Sequence, residues 1–77
     1  MKDKIYEVER DPLLSMKDLC ARLPISHAQI RRMVATGAFP APIHLGTRPF
    51  WSQSKLQRYL GGIFSGLSAE QAVAKLD

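Results

Sequence analysis

Residues 26–42 read SHAQIRRMVATGAFPAP, and this stretch decides what kind of fold the sequence predicts. Ser26 is suited to cap the start of a helix, and Gln29, three residues later, completes a capping box. Ile30 opens an apolar stripe at helical spacing, which indicates one buried face. Gly37 suits the left-handed residue that ends a helix. The two prolines that follow, one residue apart, exclude helix and predict a stiff, extended connection.

The same pattern occurs once more, just upstream. Ser15 and Asp18 form a second capping box, followed by apolar residues on one helical stripe: Met16, Leu19, Cys20 and Leu23. Pro24 ends this helix. Two helices with so short a link predict a helix-turn-helix, in which the second helix crosses the first steeply. Many small helical proteins contain this unit without binding DNA, so the spacing alone leaves the function open.

Downstream, Ile43–Leu45 and Arg48–Trp51 flank Gly46-Thr47 and predict a short β-hairpin. Pro49 lacks an N–H, so these strands must be brief or lie at a sheet edge. Ser52 is placed to cap a third helix, whose end the Gly61-Gly62 pair leaves open. The order helix, turn, helix, hairpin, helix predicts a mainly α fold with a short β-hairpin. In such a winged helix-turn-helix the hairpin forms a wing beside the second helix.

Length and pattern divide the 77 residues into a polar N-terminal arm (1–12), a winged helix-turn-helix domain (13–64) and a short C-terminal helix (65–77) that Ser68 opens. The chain is too short for a doubly wound sheet or a barrel, which need well over about 100 residues. It contains no Ser-His-Asp order, carboxylate pair, phosphate-binding glycine loop or HExxH motif. We therefore expect no enzyme.

Charge is distributed unevenly along the chain. The formal net charge is +4, and residues 19–69 contain no Asp or Glu. Six bases lie in that stretch: Arg22, Arg31, Arg32, Arg48, Lys55 and Arg58. A positive surface of this kind suits a phosphate backbone. The alternative is a solvated basic face with no partner.

The predicted second helix has an exposed face suited to DNA. At about 100° per residue, Arg32 and Ala28 lie opposite the buried Ile30, with Arg31 on one flank. Gln29 and Thr36 lie on the other flank. Arg can contact guanine through two hydrogen bonds, Gln can do so with adenine, and Ala leaves room for a thymine methyl group. The alternative is the polar face of an ordinary surface helix.

The remaining candidate DNA contacts are to the backbone. Ser26 and His27 stand at the start of the second helix, where a phosphate can bind. Arg48 follows the hairpin turn and could reach a phosphate or a narrow minor groove. Lys55 and Arg58, on the third helix, are more suited to phosphate than to bases. Each of these side chains could equally be an ordinary exposed residue.

Other distinctive side chains predict structure and not chemistry. Trp51 and Phe39 are expected to fill the core between wing and helices. Cys20 cannot form an internal disulfide and lies on a buried stripe. His44 has no second ligand at metal-binding spacing, so we expect no metal and no cofactor. No transmembrane or signal segment is indicated, and a cytoplasmic location is expected.

Residues 13–60 resemble the AlpA-like prophage regulators and the related small phage excisionases, which are winged or MerR-type helix-turn-helix proteins of bacterial mobile elements. Their pattern is matched by the Ser-capped second helix, by TGAFPAP at residues 36–42, and then by Leu45-Gly46-Thr47-Arg48, Trp51 and Tyr59-Leu60. Two departures stand out. The family commonly has an aromatic where Arg31 stands, and the interval from Arg48 to Trp51 is one residue shorter than usual.

This resemblance implies a sequence-specific DNA-binding protein that acts as a transcriptional regulator, as a recombination directionality factor (excisionase), or as both. The family's usual contact arginines fall on Arg32 and Arg48. The implied partners are double-stranded DNA, an integrase and further copies of the chain on DNA, and no membrane. The alternative function is a protein-interaction adaptor that reuses the winged-helix fold without binding DNA.

Overall fold

The computed structural model describes residues 7–8 and 11–76. In this part of the chain four helices accompany an antiparallel sheet, a mixed α/β structure. The elements in order are β1 (Glu7–Val8), β2 (Asp11–Ser15), α1 (Met16–Arg22), α2 (His27–Ala35), β3 (Ile43–Leu45), β4 (Arg48–Ser52), α3 (Gln53–Phe64) and α4 (Ala69–Ala74). From α1 onward this order agrees with the predicted one.

The sheet is larger than the predicted hairpin. Strands β2, β4 and β3 lie side by side and antiparallel, and the two-residue β1 pairs with the start of β2, giving the order β1-β2-β4-β3. Leu14 faces Trp51 across β2 and β4. Pro49 is tolerated in the central strand because it faces His44 on one side, while pairing with β2 has already stopped at Phe50. The expectation of a mainly α fold with only a hairpin was therefore wrong in its strand content.

The predicted helix starts are confirmed. The side chains of Ser15, Ser26 and Ser68 each accept a hydrogen bond from the backbone N–H three residues on, and the backbone N–H of each serine donates to the side chain of that same residue, which completes a capping box. Ser52 accepts in the same way from the N–H of Lys55 at 3.2 Å. Each cap satisfies an N–H group that a helix start leaves without an intrahelical partner.

The third helix continues through Gly61 and Gly62 and ends at Phe64. The reason lies in α4, which packs against this part of α3. A Cβ added at Gly62 would lie 3.2 Å from the Cβ of Ala72, a side chain that is itself buried in the core. Gly62 therefore lets the two helices approach closely, and this packing offsets the low helix propensity of glycine.

Aromatic side chains join α2 to the sheet and to α3. Phe39 lies edge-on to Trp51 and to Tyr59, with ring centroids 6.1 and 5.2 Å away. The Trp51 Nε1–H donates to the carbonyl of Pro40 at 2.7 Å, and the Tyr59 hydroxyl donates to the carbonyl of Ala38 at 2.8 Å. Burial raises the pKa of Tyr59, so its phenol remains a donor. The prediction that Trp51 and Phe39 fill the core is confirmed.

The boundary predicted after Pro12 needs correction, because Asp11 and Pro12 belong to β2. The Asp11 carboxylate accepts hydrogen bonds from the backbone N–H of Ser54 at 2.9 Å and from the hydroxyls of Ser52 and Ser54. Asp11 thus caps the start of α3, more than forty positions away in sequence. The rest of the predicted arm lies outside the described residues, apart from the two-residue strand β1.

Asp11→Asn should destabilise the protein by about 0.5 kcal/mol near neutral pH, because the amide keeps one acceptor oxygen but loses the negative charge at the start of α3. The hydrogen bond from the Ser54 backbone N–H, followed by that from the Ser52 hydroxyl, holds the pKa of Asp11 below its ordinary value. Because the folded-state pKa is depressed, the stabilisation is complete above the unfolded-state value of about 4 and is lost as pH falls through the folded-state value.

Denaturant unfolding of wild type and Asp11→Asn from pH 7 to pH 2 measures this directly. The difference in unfolding free energy should shrink below about pH 4. A difference that stays constant down to pH 2 would show that the Asp11 charge does not stabilise α3. Asp18, whose pKa is also lowered, chiefly by the Ser15 backbone N–H, is present in both proteins and cancels.

Candidate nucleic-acid interface

The exposed face of α2 has its orientation set by contacts at both ends of the helix and along its buried side. Ser26 caps the start, and Gly37, with φ of +79°, closes the end. The N–H groups of Ala38 and Gly37 return to the carbonyls of Met33 and Val34, which is a Schellman motif. Because the side chain of Ile30 is fully buried, the opposite face of α2 must point to solvent.

All ten residues predicted to contact DNA are exposed. Eight of them lie on or beside α2 and the hairpin, and two lie on α3: Ser26, His27, Ala28, Gln29, Arg31, Arg32, Thr36 and Arg48, and Lys55 and Arg58. On α2 itself, Arg31 and Arg32 are the long cationic side chains, and Ala28, one turn before Arg32, adds almost no bulk. A flat nucleic-acid surface could therefore approach this face closely.

Two of the predicted base-reading side chains are engaged in local hydrogen bonds. The Ser26 backbone N–H donates to Gln29 Oε1 at 3.4 Å, and the Gln29 backbone N–H donates to Ser26 Oγ at 3.2 Å. The Thr36 hydroxyl donates to the Met33 carbonyl at 3.2 Å. A two-bond contact between Gln29 and adenine would need the same Oε1 atom. The capping role therefore competes with base reading at Gln29, which places more weight on Arg31 and Arg32.

The hairpin lies next to α2, on the side where Arg31 stands. A cleft of about 330 Å³ separates them, with Arg31, Val34 and Ala35 on the helix side and His44 and Pro49 on the hairpin side. Of the predicted contacts on α2, Arg31 is the one that lines this cleft against the hairpin.

Arg48 lies at the outer end of this hairpin. It pairs with Leu45 and directly follows the Gly46-Thr47 turn. Side chains alternate along a strand, so Pro49 and Trp51 face the helices. The Arg48 side chain therefore projects from the opposite face of β4. The position at the turn leaves Arg48 exposed, so a partner that touches the hairpin tip can meet it.

Lys55 and Arg58 belong to a different part of the surface. Lys55 lines a smaller cleft of about 180 Å³ together with Pro40, Ala41 and two residues of α4. None of the residues around that cleft comes from α2 or from the hairpin. Arg58 lies three residues further along α3 and is exposed. The predicted contacts therefore divide into a group on α2, Arg48 at the outer end of the hairpin, and a pair on α3.

Within residues 11–76, no three His, Cys, Asp or Glu side chains come together in a way that could hold a metal ion. No helix in the same part of the chain is long and apolar enough to cross a membrane.

Comparisons with known proteins found no match among family models, curated proteins or solved structures.

Proposed function

We propose that the chain is a sequence-specific protein that binds double-stranded DNA through a winged helix-turn-helix of the MerR or excisionase type. The proposal extends to a role in a bacterial mobile element, as transcriptional regulator or as recombination directionality factor, in the cytoplasm. The observation that carries it is the exposed Arg31-Arg32 face of α2, flanked by the hairpin, in a stretch of chain without acids.

The dimensions of α2 suit the major groove. Its nine residues span about 13 Å, and a helix with its side chains is about 10–12 Å across. The major groove of B-DNA is about 12 Å wide. With Ala28 at the centre of the exposed face, the helix axis can approach the base edges, and Arg31 and Arg32 are long enough to reach them.

The distribution of charge along the chain also supports DNA as the partner. Residues 19–69 include the C-terminal part of α1, all of α2, the hairpin and all of α3, and no Asp or Glu interrupts them. A phosphate backbone meets no like charge from this stretch, and each cation that contacts a phosphate releases condensed counterions. This release supplies much of the affinity, so binding should be sensitive to salt.

The positions of the candidate residues suggest that some contact bases and others contact the DNA backbone. Arg32 and Arg31 read base edges from α2, while Ser26 and His27 contact a phosphate at the start of that helix. Arg48 contacts the backbone or the minor groove from the hairpin tip. Lys55 and Arg58 meet DNA only where it extends past the main site.

A second candidate function, the protein-interaction adaptor, is favoured by one observation. Ile43 and Leu45 on the hairpin are each about half exposed, at 51% and 50%, and Phe64 at the end of α3 is 84% exposed. Apolar side chains in such positions are suited to a protein partner. In the DNA-binding account they are available to an integrase or to a second copy of the chain on neighbouring DNA.

Selection from a pool of randomised duplexes separates these two functions. A sequence-specific DNA-binding protein should enrich one motif over successive rounds, and footprinting of that motif should show a protected site. Recovery of duplexes without any common sequence, or of no duplex at all, would contradict the proposal and favour the adaptor.

Arg48→Ala should weaken binding to the selected duplex and to random duplex by similar factors. A side chain at the hairpin tip mainly meets backbone charge, so the loss should also reduce the salt slope by about one phosphate contact. Affinity measured on both duplexes over a salt series tests this. If Arg48→Ala left random DNA binding intact and abolished selectivity, the hairpin would be the specificity element.

A further inference from the structure

The cleft between α2 and the hairpin has the size and lining of a small-molecule site. Its volume of about 330 Å³ falls at the lower end of the range of ligand pockets, about 300–1,000 Å³. Its walls come from three parts of the chain that the core holds in place: the start of α1, one side of α2, and the β3–β4 hairpin with Pro42 just before it. Their apolar side chains include Met16, Ile30, Val34, Pro42 and Trp51.

The walls present few polar groups to a ligand. The only polar atom of the Trp51 side chain, Nε1, donates to the carbonyl of Pro40, so the indole contributes apolar surface. Two lining side chains carry polar groups, Arg31 and His44, and both are exposed, which places them at the rim. An apolar ligand body would fit between α2 and the hairpin, with its polar end at this rim.

The charge at the rim defines that polar end. Arg31 carries a permanent positive charge, His44 can donate a ring N–H, and no acidic side chain lines the cleft. A guanidinium accepts a planar carboxylate through two parallel hydrogen bonds. An anionic head is therefore favoured at the rim, and the apolar walls favour one or two aromatic rings behind it.

We propose that this cleft binds a small aromatic carboxylate, with the rings between α2 and the hairpin and the carboxylate at Arg31, and that its occupation weakens DNA binding. The second part rests on the proposed function. Arg31 serves both sites, and a carboxylate held there competes with a DNA phosphate or base edge for the same guanidinium.

Naphthalene-2-carboxylate is a suitable probe, and its uncharged amide is the matched control ligand. Trp51 is the only tryptophan of the chain and lines the cleft, so its single indole N–H signal in NMR spectra reports occupation. The carboxylate should shift this signal and those of Val34 and Ala35 saturably. The amide should bind about fivefold more weakly, because it lacks the charge that pairs with Arg31.

Three variants locate the site. Arg31→Gln should remove the preference for the carboxylate over the amide. Ala35→Leu, which adds bulk at an exposed lining position, should abolish binding of both ligands. Ala74→Leu, at an exposed position on α4, should bind as wild type does. Equal binding of the carboxylate and the amide to wild type, or unchanged binding to Ala35→Leu, would overturn the proposal.

A separate DNA-binding measurement tests whether occupation of the cleft weakens DNA binding. Saturating naphthalene-2-carboxylate should reduce affinity for random duplex about fivefold in wild type and leave Ala35→Leu unaffected. If DNA affinity stayed constant while NMR showed the cleft filled, the regulatory part would be overturned. If the protein bound no DNA under any condition, the proposed function would fail, and the NMR titration would still decide whether the cleft binds the carboxylate.

Discussion

Trp51→Ala is expected to unfold the protein or to leave it close to its unfolding midpoint at room temperature. The side chain is 2% exposed, packs edge-on to Phe39 and faces Leu14 from the neighbouring strand. Truncating a buried aromatic residue to alanine costs about 3–5 kcal/mol. Domains in general have only about 5–15 kcal/mol of stability, and one of this size lies towards the lower end.

The Trp51 N–H adds to this effect. In Trp51→Ala the carbonyl of Pro40 loses its donor inside the core, and a buried acceptor without a partner costs about 1–3 kcal/mol. Trp51→Phe retains a ring and loses only the donor and part of the volume, so its destabilisation should be smaller. Thermal unfolding followed by circular dichroism compares the three proteins. A melting temperature of Trp51→Ala within a few degrees of wild type would contradict the placement of this side chain.

Arg32→Ala is expected to give the largest loss of specific DNA binding among single changes on α2. Arg32 lies opposite the buried Ile30 and is exposed. A two-bond contact from arginine to guanine discriminates by about 1–3 kcal/mol, which corresponds to about 5- to 150-fold in affinity. Because only base reading carries sequence information, binding to random duplex should fall much less.

Arg22→Ala is the matched control for this change, since Arg22 is an exposed arginine in the last turn of α1. It removes the same charge from a position that the proposal does not assign to DNA. Affinities for the selected and the random duplex should therefore remain near wild type. If Arg32→Ala and Arg22→Ala had equal effects on both duplexes, Arg32 would contribute charge alone and would not be a base reader.

Local signals explain why so much of the helical structure could be predicted. A capping box joins residues three apart, as in Ser26 and Gln29, and a Schellman motif closes within six residues around Gly37. The exposed face of α2 followed from the same short-range periodicity. These interactions form between neighbours in sequence, so the residue types alone indicate them.

Long-range packing explains what could not be predicted. The pairing of Leu14 with Trp51 and the capping of α3 by Asp11 join segments about forty residues apart, and no local pattern marks either. The continuation of α3 through Gly62 depends on Ala72 in another helix. Gln29 shows a different problem. Local sequence predicts both its capping box and a contact between its side chain and adenine, and these two roles compete.

The central claim is that the Arg31-Arg32 face of α2 binds duplex DNA, and the salt dependence of binding tests it most directly. Wild type is titrated with a random duplex over a salt series, beside Arg31→Gln/Arg32→Gln and a control pair of equal charge change, Lys17→Gln/Lys75→Gln, at exposed positions on α1 and just after α4. We expect the logarithm of the wild-type affinity to fall linearly with the logarithm of salt concentration, by about 0.9 per phosphate contact. The α2 variant should bind more weakly with a shallower slope, and the control pair should stay close to wild type. A wild type that binds no duplex at low salt, or an α2 variant that matches the control pair, would contradict the account.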